Sequence, residues 1–228
     1  MKNRQLPYIP IVMPRSKKYG SNYWNSRGLK VDRDVILYSD LEYDHWVRME
    51  TTPDVIEYCE QPLEINYVLN EKRHKTIFDM CALHKNGIRI FIEVKYEKDL
   101  KPTSRKYDVT MRQIEAQREW CRLNDVLHEV RTEKYIRTGP YAIENRLKIL
   151  KSITNQKVPH FLQDVSDSIG NHKISIRNLG KNLMNLGSYD VFLACYWLYY
   201  IGTINADLDS AIWNLDMEVW KVEPNKNH

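Results

Sequence analysis

The sequence TIFDMCALHKNGIRIFIEVK, residues 76–95, contains two runs that are typical of β-strands. The runs are Thr76–His84 and Ile88–Lys95, and residues 85–87 separate them. The second run is mostly apolar until it reaches its acidic residue, which favours a central strand. Because an unpaired charge is costly to bury in such a strand, the acidic residue needs a partner.

The length of the turn decides which side chains face one another across this hairpin. A two-residue turn would set Asp79 opposite Val94, on the wrong face of the sheet. A three-residue turn over 85–87, with Gly87 in the left-handed conformation, sets Asp79 directly opposite Glu93, about 5 Å away. We predict the three-residue turn.

Asp79, Glu93 and Lys95 are residue types that suit phosphodiester hydrolysis. Glu93 and Lys95 are two apart on a strand, so they share a face. Two opposed carboxylates repel each other, and a metal ion between them would remove the conflict. Mg²⁺ prefers oxygen ligands and usually takes one or two carboxylates, while a nearby lysine stabilises charge developing on the phosphate. In the alternative interpretation, Glu93 and Lys95 are solvated charges of an edge strand and Asp79 faces outward alone.

Glu42 lies in the segment Ser39-Asp40-Leu41-Glu42, which has the S-x-x-E pattern of a helix capping box. The pattern predicts a helix that runs to about Glu50. A carboxylate at the third helical position helps to close the first turn and is favoured by the helix dipole. Spacing alone therefore gives Glu42 a structural role and no catalytic one.

The predicted order of elements is typical of an α/β fold built on a mixed sheet flanked by helices. The first helix is followed by short β-like runs at Val55–Glu60 and Leu63–Leu69, and then by the hairpin. Further on, we predict a helix at about Asp108–Arg122, a strand at Val126–Val130 and a helix at about Ile143–Ile153.

The character of the sequence changes after about residue 155. Three short helices are predicted at Phe161–Ile169, Ile174–Leu183 and Tyr189–Ile201. Three β-like segments follow, at Thr203–Asp207, Ile212-Trp213 and Glu218–Trp220. Three helices with a small hairpin are the outline of a winged helix, a fold that binds either DNA or protein. We therefore predict two domains, 1–155 and 156–228.

Bulk properties set few limits. The net charge of +4 permits a nucleic-acid partner without requiring one. The four cysteines are widely spaced, so a zinc site or a disulfide framework is not expected, and we predict them to be reduced and mostly buried. The sequence has no signal-peptide pattern and no apolar stretch of about 18 residues. We expect a cytoplasmic protein without a membrane partner.

Two segments are rich in basic residues. Residues 1–34 are interpreted either as a partly ordered arm or as an arm lying along a phosphate backbone; their basic residues are Arg15, Lys17, Lys18, Arg27, Lys30 and Arg33, with Tyr8, Tyr19, Tyr23 and Trp24 between them. The second segment follows the hairpin and could hold phosphates or form a solvated loop; it contains Lys98, Lys101, Arg105, Lys106 and Arg112.

Two motifs resemble known nuclease patterns. Phe78-Asp79 and Glu93-Val94-Lys95 resemble the signature of the PD-(D/E)xK nuclease superfamily, with Phe78 in place of the usual proline. The segments 39–44, 52–58 and 60–63 are, more specifically, similar to the TnsA endonuclease subunit of heteromeric bacterial transposases. This resemblance covers residues of about 39–96 well and the remainder only in outline.

The TnsA resemblance implies a set of site residues. Glu42, Asp79 and Glu93 would be the metal-binding acids, together with the backbone carbonyl of Val94, and Lys95 would be the catalytic lysine. The implied cofactor is Mg²⁺, for which Mn²⁺ can substitute. Some family members have glutamine at the position of Glu93. The implied fold is a restriction-endonuclease-like domain followed by a winged-helix-like C-terminal domain.

The resemblance also implies a function. The enzyme would cut DNA at the 5′ ends of a mobile element during cut-and-paste transposition, while a separate transposase cuts and joins the 3′ ends. An AAA+ ATPase regulator would contact the C-terminal domain. Two alternatives remain: a stand-alone structure-specific nuclease or resolvase, and a non-catalytic subunit that keeps the nuclease fold for docking to DNA or protein.

Overall fold

The computed structural model describes residues 5–14, 22–69 and 71–223. The chain divides into two compact units. The first comprises Met1–Glu50 and Asp54–Arg137, and the second comprises Thr51–Pro53 and Thr138–His228. Within the described residues, no helix has the length and apolar character needed to span a bilayer.

The first unit contains the predicted hairpin at its centre. In chain order its elements are β1 (Trp24–Gly28), β2 (Arg33–Leu37), α1 (Asp40–Thr51), β3 (Val55–Glu60), β4 (Glu64–Leu69), β5 (Lys72–Ile77), β6 (Met80–His84), β7 (Arg89–Val94), a 3-10 helix (Glu97–Leu100), α2 (Tyr107–Leu123), β8 (Leu127–Arg131) and α3 (Glu133–Ile136).

Four of these strands form the central sheet, in the order β3-β6-β7-β8. The pairs β3/β6 and β6/β7 are antiparallel, whereas β7/β8 is parallel and is connected through α2. A parallel pair needs a long crossover, and a helix provides it. The mixed sheet flanked by helices agrees with the α/β prediction and is consistent with a restriction-endonuclease-like fold.

The turn between β6 and β7 has the three residues that the sequence predicts. The backbone N–H of His84 donates to the Ile88 carbonyl at 3.0 Å, so these residues close the hairpin. Gly87 has φ +81°, and its N–H donates to the His84 carbonyl. The strands pair Met80 with Ile92, and one further step in this register sets Asp79 opposite Glu93.

The run Thr76–His84 was predicted as one strand, and this prediction is wrong. The chain forms β5 and β6 with Phe78 and Asp79 between them. The N–H of Phe78 donates to the Leu63 carbonyl, whereas that of Asp79 donates to the Ile92 carbonyl. The backbone therefore changes its hydrogen-bonding partner between Phe78 and Asp79, from the segment before β4 to strand β7. As a result, β4 and β5 form a two-stranded hairpin outside the central sheet.

The described part of residues 1–34 packs on the first unit. This corrects the interpretation of these residues as a partly ordered arm. Residues 24–37 form the antiparallel hairpin β1–β2, and Leu6 is buried in a core cluster with Phe78 and Phe91. Lys30 is 8% exposed and donates to backbone carbonyls, and Arg33 pairs with buried Glu60 through two hydrogen bonds. Both cations therefore serve the fold. Four further residues of the proposed arm lie outside the described residues: Arg15, Lys17, Lys18 and Tyr19.

The second unit is built mainly from helices. Its elements are α4 (Ala142–Ile153), α5 (Leu162–Ser168), β9 (Ile174–Ser175), α6 (Ile176–Asn182), α7 (Ser188–Ile201), β10 (Ile204–Ala206) and β11 (Glu218–Lys221). The three predicted helices after residue 155 are present, and the strands form an antiparallel sheet in the order β10-β11-β9. The predicted β-like segment Ile212-Trp213 is not a strand.

Helix α4 lies in the second unit, so the units divide at residue 137 rather than at the predicted 155. The reason is a buried amide. Asn145, on α4, donates to the carbonyls of Leu208 and Ala211 and accepts from the Trp213 N–H, each at 2.8 Å. These bonds tie α4 to the segment after β10 and take up the Trp213 N–H that a strand would use.

All four cysteines are free and buried, as predicted. Cys59, Cys81 and Cys121 lie in the same core cluster of the first unit. Burial raises the pKa of Cys81 and Cys121 to about 12, so both are held as neutral thiols.

Gly87→Ala tests the turn that sets the hairpin register. A methyl group at Gly87 would meet nothing within 4 Å, so its effect comes from the left-handed backbone alone. We expect a loss of about 1 kcal/mol in the free energy of unfolding, measured by urea denaturation. Gly87→Asn is the matched control and should lose less, because asparagine tolerates this conformation. An alanine variant as stable as the wild type would contradict the turn.

Candidate functional site

The candidate site contains two neighbouring carboxylates on the central sheet. Glu93, in β7, is completely buried, and Asp79, next to the start of β6, is half-buried. One oxygen of Asp79, Oδ2, accepts a hydrogen bond from the Val94 N–H at 2.7 Å. Burial and the charge of Asp79 raise the pKa of Glu93 to about 7. The two acids therefore influence each other strongly.

Lys95 provides the positive charge of the site. Its Nζ donates to Oε1 of Glu93 in an ion pair, and its side chain is 22% exposed. Burial lowers the pKa of Lys95, but the charges of Glu93 and Asp79 more than offset this and hold the pKa above its ordinary value. Lys95 is therefore a persistent cation. The solvated-edge interpretation of Glu93 and Lys95 is wrong, because β7 is an inner strand.

Two glutamines on α2 complete the contacts of Glu93. Nε2 of Gln113 donates to Oε1 at 2.6 Å, and Nε2 of Gln117 donates to Oε2 at 2.7 Å. Residues four apart on a helix share a face, so both amides point at the same carboxylate. Sequence patterns assign neither glutamine to the site, although Gln117 lies on the side of the helix that also carries Ile114 and Cys121.

Gln117 also connects the site to a buried histidine. Oε1 of Gln117 lies 3.2 Å from Nε2 of His128, and because an amide oxygen only accepts, His128 donates this hydrogen bond. Burial, followed by the charge of Arg118, lowers the pKa of His128 to about 4. His128 is therefore neutral near pH 7, with its proton on Nε2.

The contacts of Glu42 are those of a helix cap. The Glu42 N–H donates to Oγ of Ser39 at 3.2 Å, and that hydroxyl donates back to Oε1 of Glu42 at 3.1 Å. The Tyr38 N–H donates to Oε2 at 3.1 Å. This confirms the predicted capping role. The charge of Glu42 also raises the pKa of Lys95, so Glu42 acts on the site electrostatically.

Gln61 joins Glu42 to the carboxylate pair. Its Nε2 lies 3.4 Å from Oε2 of Glu42, and its backbone N–H donates to the Asp79 carbonyl at 3.0 Å. Gln61 is 2% exposed and has φ +38°, a conformation that non-glycine residues rarely adopt. Strained backbone of this kind is often found at functional sites. Sequence patterns could not reveal it, because they do not report the backbone angle of a single glutamine.

The departure at Phe78 has a structural explanation. Phe78 is fully buried and packs against Phe91, with ring centroids 4.7 Å apart. Its N–H donates to the Leu63 carbonyl, a bond that proline could not make. The aromatic residue therefore supports the site from the core side.

The residues present suit a hard divalent cation. Across the described residues, no group of three or more histidines, cysteines or acids is arranged to hold a metal ion. Mg²⁺ needs fewer, since it usually takes one or two carboxylates and completes its shell with water and substrate phosphate. Asp79 and Glu93 form such a pair, and their mutual repulsion is what a bound cation would relieve.

The basic segment after the hairpin is solvated. All five of its cations are exposed, although Lys98 lies in the 3-10 helix and Arg112 on α2; the five are Lys98, Lys101, Arg105, Lys106 and Arg112. Nζ of Lys98 lies 5.3 Å from the centre of the Tyr96 ring, and Nε of Arg112 donates to the Asp108 carbonyl.

A comparison with protein families places this site. Residues 52–133 match the family described as "TnsA-like endonuclease N terminal". Residues 52–133 are therefore similar to the N-terminal domain of TnsA-like endonucleases. The TnsA-like segment extends from β3 to β8 and contains Asp79, Glu93 and Lys95, whereas Glu42 precedes it. A comparison with curated proteins found no match.

His128→Gln tests the buried histidine through the pH dependence of stability. The pKa of His128 is about 4 in the folded protein and ordinarily 6.5, so protonation favours the unfolded chain. Its contribution is present above pH 6.5 and is lost as the pH falls towards 4. Urea denaturation across this range should show a shallower fall in stability for the variant. His160→Gln, at an exposed histidine, is the control, and an unchanged slope in His128→Gln would contradict the prediction.

Proposed function

We propose that this chain is a metal-dependent DNA endonuclease that cuts at the 5′ ends of a mobile element during cut-and-paste transposition. The observation that carries the proposal is a completely buried glutamate, Glu93, placed beside Asp79 and bound by Lys95 within a TnsA-like endonuclease domain. Buried charges cost stability unless they are paired or hold a metal. A fold that retains a buried acid beside a half-buried one therefore has a use for them.

Asp79 and Glu93 are the proposed metal ligands, with Glu42 and the Val94 carbonyl as further ligands suggested by the family resemblance. Bound Mg²⁺, or Mn²⁺ in its place, would neutralise the phosphate and activate a water molecule. The Val94 N–H donates to Oδ2 of Asp79, and among the described residues no hydrogen bond to the other oxygen, Oδ1, is seen. Glu42 is held by its cap contacts, so it would need to turn from Ser39 to reach a metal.

Lys95 acts as a charge and not as a base. Since its pKa is raised, its Nζ keeps its protons and can stabilise the negative charge that develops on the phosphate during cutting. Gln113 and Gln117 are positioning residues. Their amides fix the orientation of Glu93, and Gln117 is itself held by His128.

For the second unit we propose a winged-helix-like fold that binds a protein partner. Support comes from helices α5, α6 and α7 followed by a sheet in the order β10-β11-β9. Helix α7 has the sequence SYDVFLACYWLYYI, without a single basic residue, which does not suit contact with phosphates. Tyr189 and Ile201 expose large apolar surface at its two ends. The proposed partners are an AAA+ ATPase regulator for this unit, and a 3′-end-cutting transposase for the chain.

Nicking of supercoiled DNA with Mg²⁺ or Mn²⁺ tests the proposal. Asp79→Ala should lower the rate at least about 100-fold, because the phosphate loses its electrostatic stabilisation. Glu115→Ala is the matched control, since Glu115 is an exposed acid on α2. If Asp79→Ala cuts as fast as the wild type, the assigned site is wrong.

The same assay separates the alternatives. Cutting that requires the transposase and the ATPase supports the transposition role. Efficient cutting by the chain alone would favour a stand-alone nuclease or resolvase. No cutting under any of these conditions, despite binding to DNA or partners, would favour the docking subunit.

A further inference from the structure

The β4–β5 hairpin leads directly into the candidate site, because β5 ends two residues before Asp79. It forms a two-stranded sheet of its own. Its two buried residues are Ile65 and Thr76, and Nε2 of Gln117 donates to Oγ1 of Thr76 at 3.2 Å. Beyond them, exposed side chains alternate with partly buried ones, such as Tyr67 and His74. The residue that holds Glu93 thus also anchors the hairpin.

One face of the hairpin carries a distinctive set of exposed side chains. The register pairs Asn66 with Lys75 and Val68 with Arg73, and side chains two apart on a strand share a face. All four are exposed, and Val68 is 70% exposed. We call these four residues the outer face. On the opposite face, the rings of Tyr67 and His74 stack, so the aromatic pair stiffens the hairpin from behind.

The outer face has the chemistry of a DNA-binding surface. A two-stranded antiparallel ribbon fits the major groove of a DNA duplex. Arginine and lysine bind phosphates, while asparagine and apolar side chains can contact base edges. Lys75 pairs with Glu64 at 2.6 Å, but both side chains are solvent-exposed, and exposed ion pairs contribute little. A phosphate could replace Glu64 at small cost.

The short chain between the outer face and Asp79 limits how far from the cut phosphate the outer face can contact DNA. Strand β5 ends at Ile77, only one residue before Phe78-Asp79. Arg73 precedes Asp79 by six residues, which is at most about 20 Å of extended chain. With base pairs spaced about 3.4 Å apart, the outer face reaches DNA within roughly six base pairs of the cut.

We infer that the outer face of the β4–β5 hairpin binds duplex DNA beside the phosphate that is cut, with Arg73 and Lys75 contacting the backbone. This inference rests on the proposed function and adds the element that holds the substrate. Arg73 and Lys75 outweigh the single negative charge of Glu64 on the same side of the hairpin, so this side carries a net positive charge that favours DNA over a second copy of this chain.

Binding of a short fluorescent DNA duplex to the full chain, with Ca²⁺ in place of Mg²⁺, tests the inference. We expect R73Q/K75Q to weaken binding about tenfold, and to reduce the slope of log Kd against log salt by about 2, one for each lost phosphate contact. K85Q/R89Q is the matched control. It removes two exposed cations of the same unit at the far end of β6 from Asp79, and it should bind as the wild type does.

Equal affinity and equal salt slope for the two double variants would overturn the inference. So would a change in the molecular mass of the chain in solution on R73Q/K75Q substitution without a change in DNA affinity, since the face would then bind a second copy. All four substituted positions are exposed, so thermal unfolding should be unchanged in both variants. Nicking by the wild type, with loss in Asp79→Ala, would show that the proposed function stands even if the hairpin inference fails.

Discussion

The Glu93 carboxylate is buried beside a second acid, Asp79, and the two negative charges repel each other. The surrounding elements of the first unit offset this repulsion. Strand β7 carries Glu93 into the core, and Lys95, the residue that follows this strand, supplies the opposing charge. Helix α2 contributes two amides, which leave no oxygen of Glu93 without a donor. The raised pKa of Glu93 shows that these donors do not fully offset burial and repulsion. The cation that we propose between Glu93 and Asp79 would offset the remaining repulsion, and the proposed chemistry depends on it.

Much of this arrangement could be predicted from short-range patterns. Gly87 and the apolar run before Glu93 were sufficient to predict the turn and the register. The register in turn predicts that Asp79 lies opposite Glu93, because local geometry determines the pairing in a hairpin. The capping box at Ser39 was predicted for the same reason. The predictions failed where partners are distant in sequence. The break at Phe78-Asp79 comes from a change of hydrogen-bonding strand, and no property of residues 76–84 reveals it.

The residues that surround the acids were equally hard to predict. Gln113 and Gln117 lie on α2, about 20 residues after Glu93 in the sequence. They contact Glu93 only because α2 packs on the sheet. Gln61 lies in segment 60–63, which resembles TnsA. Its positive φ accompanies the hydrogen bond from its backbone N–H to the Asp79 carbonyl, and a sequence pattern does not reveal such a distant contact. The buried amide of Asn145 binds α4 to the second unit. The sequence of α4 does not reveal this, because it has the pattern of an ordinary amphipathic helix.

The central claim is that Asp79 and Glu93 together hold a divalent cation. Calorimetric titration of Mn²⁺ into the full chain without DNA measures this directly, independently of cutting. We expect the wild type to bind Mn²⁺ and Asp79→Asn, which removes one charge at nearly constant size, to bind it at least about tenfold more weakly. Equal affinity in the wild type and Asp79→Asn would show that Asp79 holds no cation, and a wild type that binds no Mn²⁺ would show that the pair holds none.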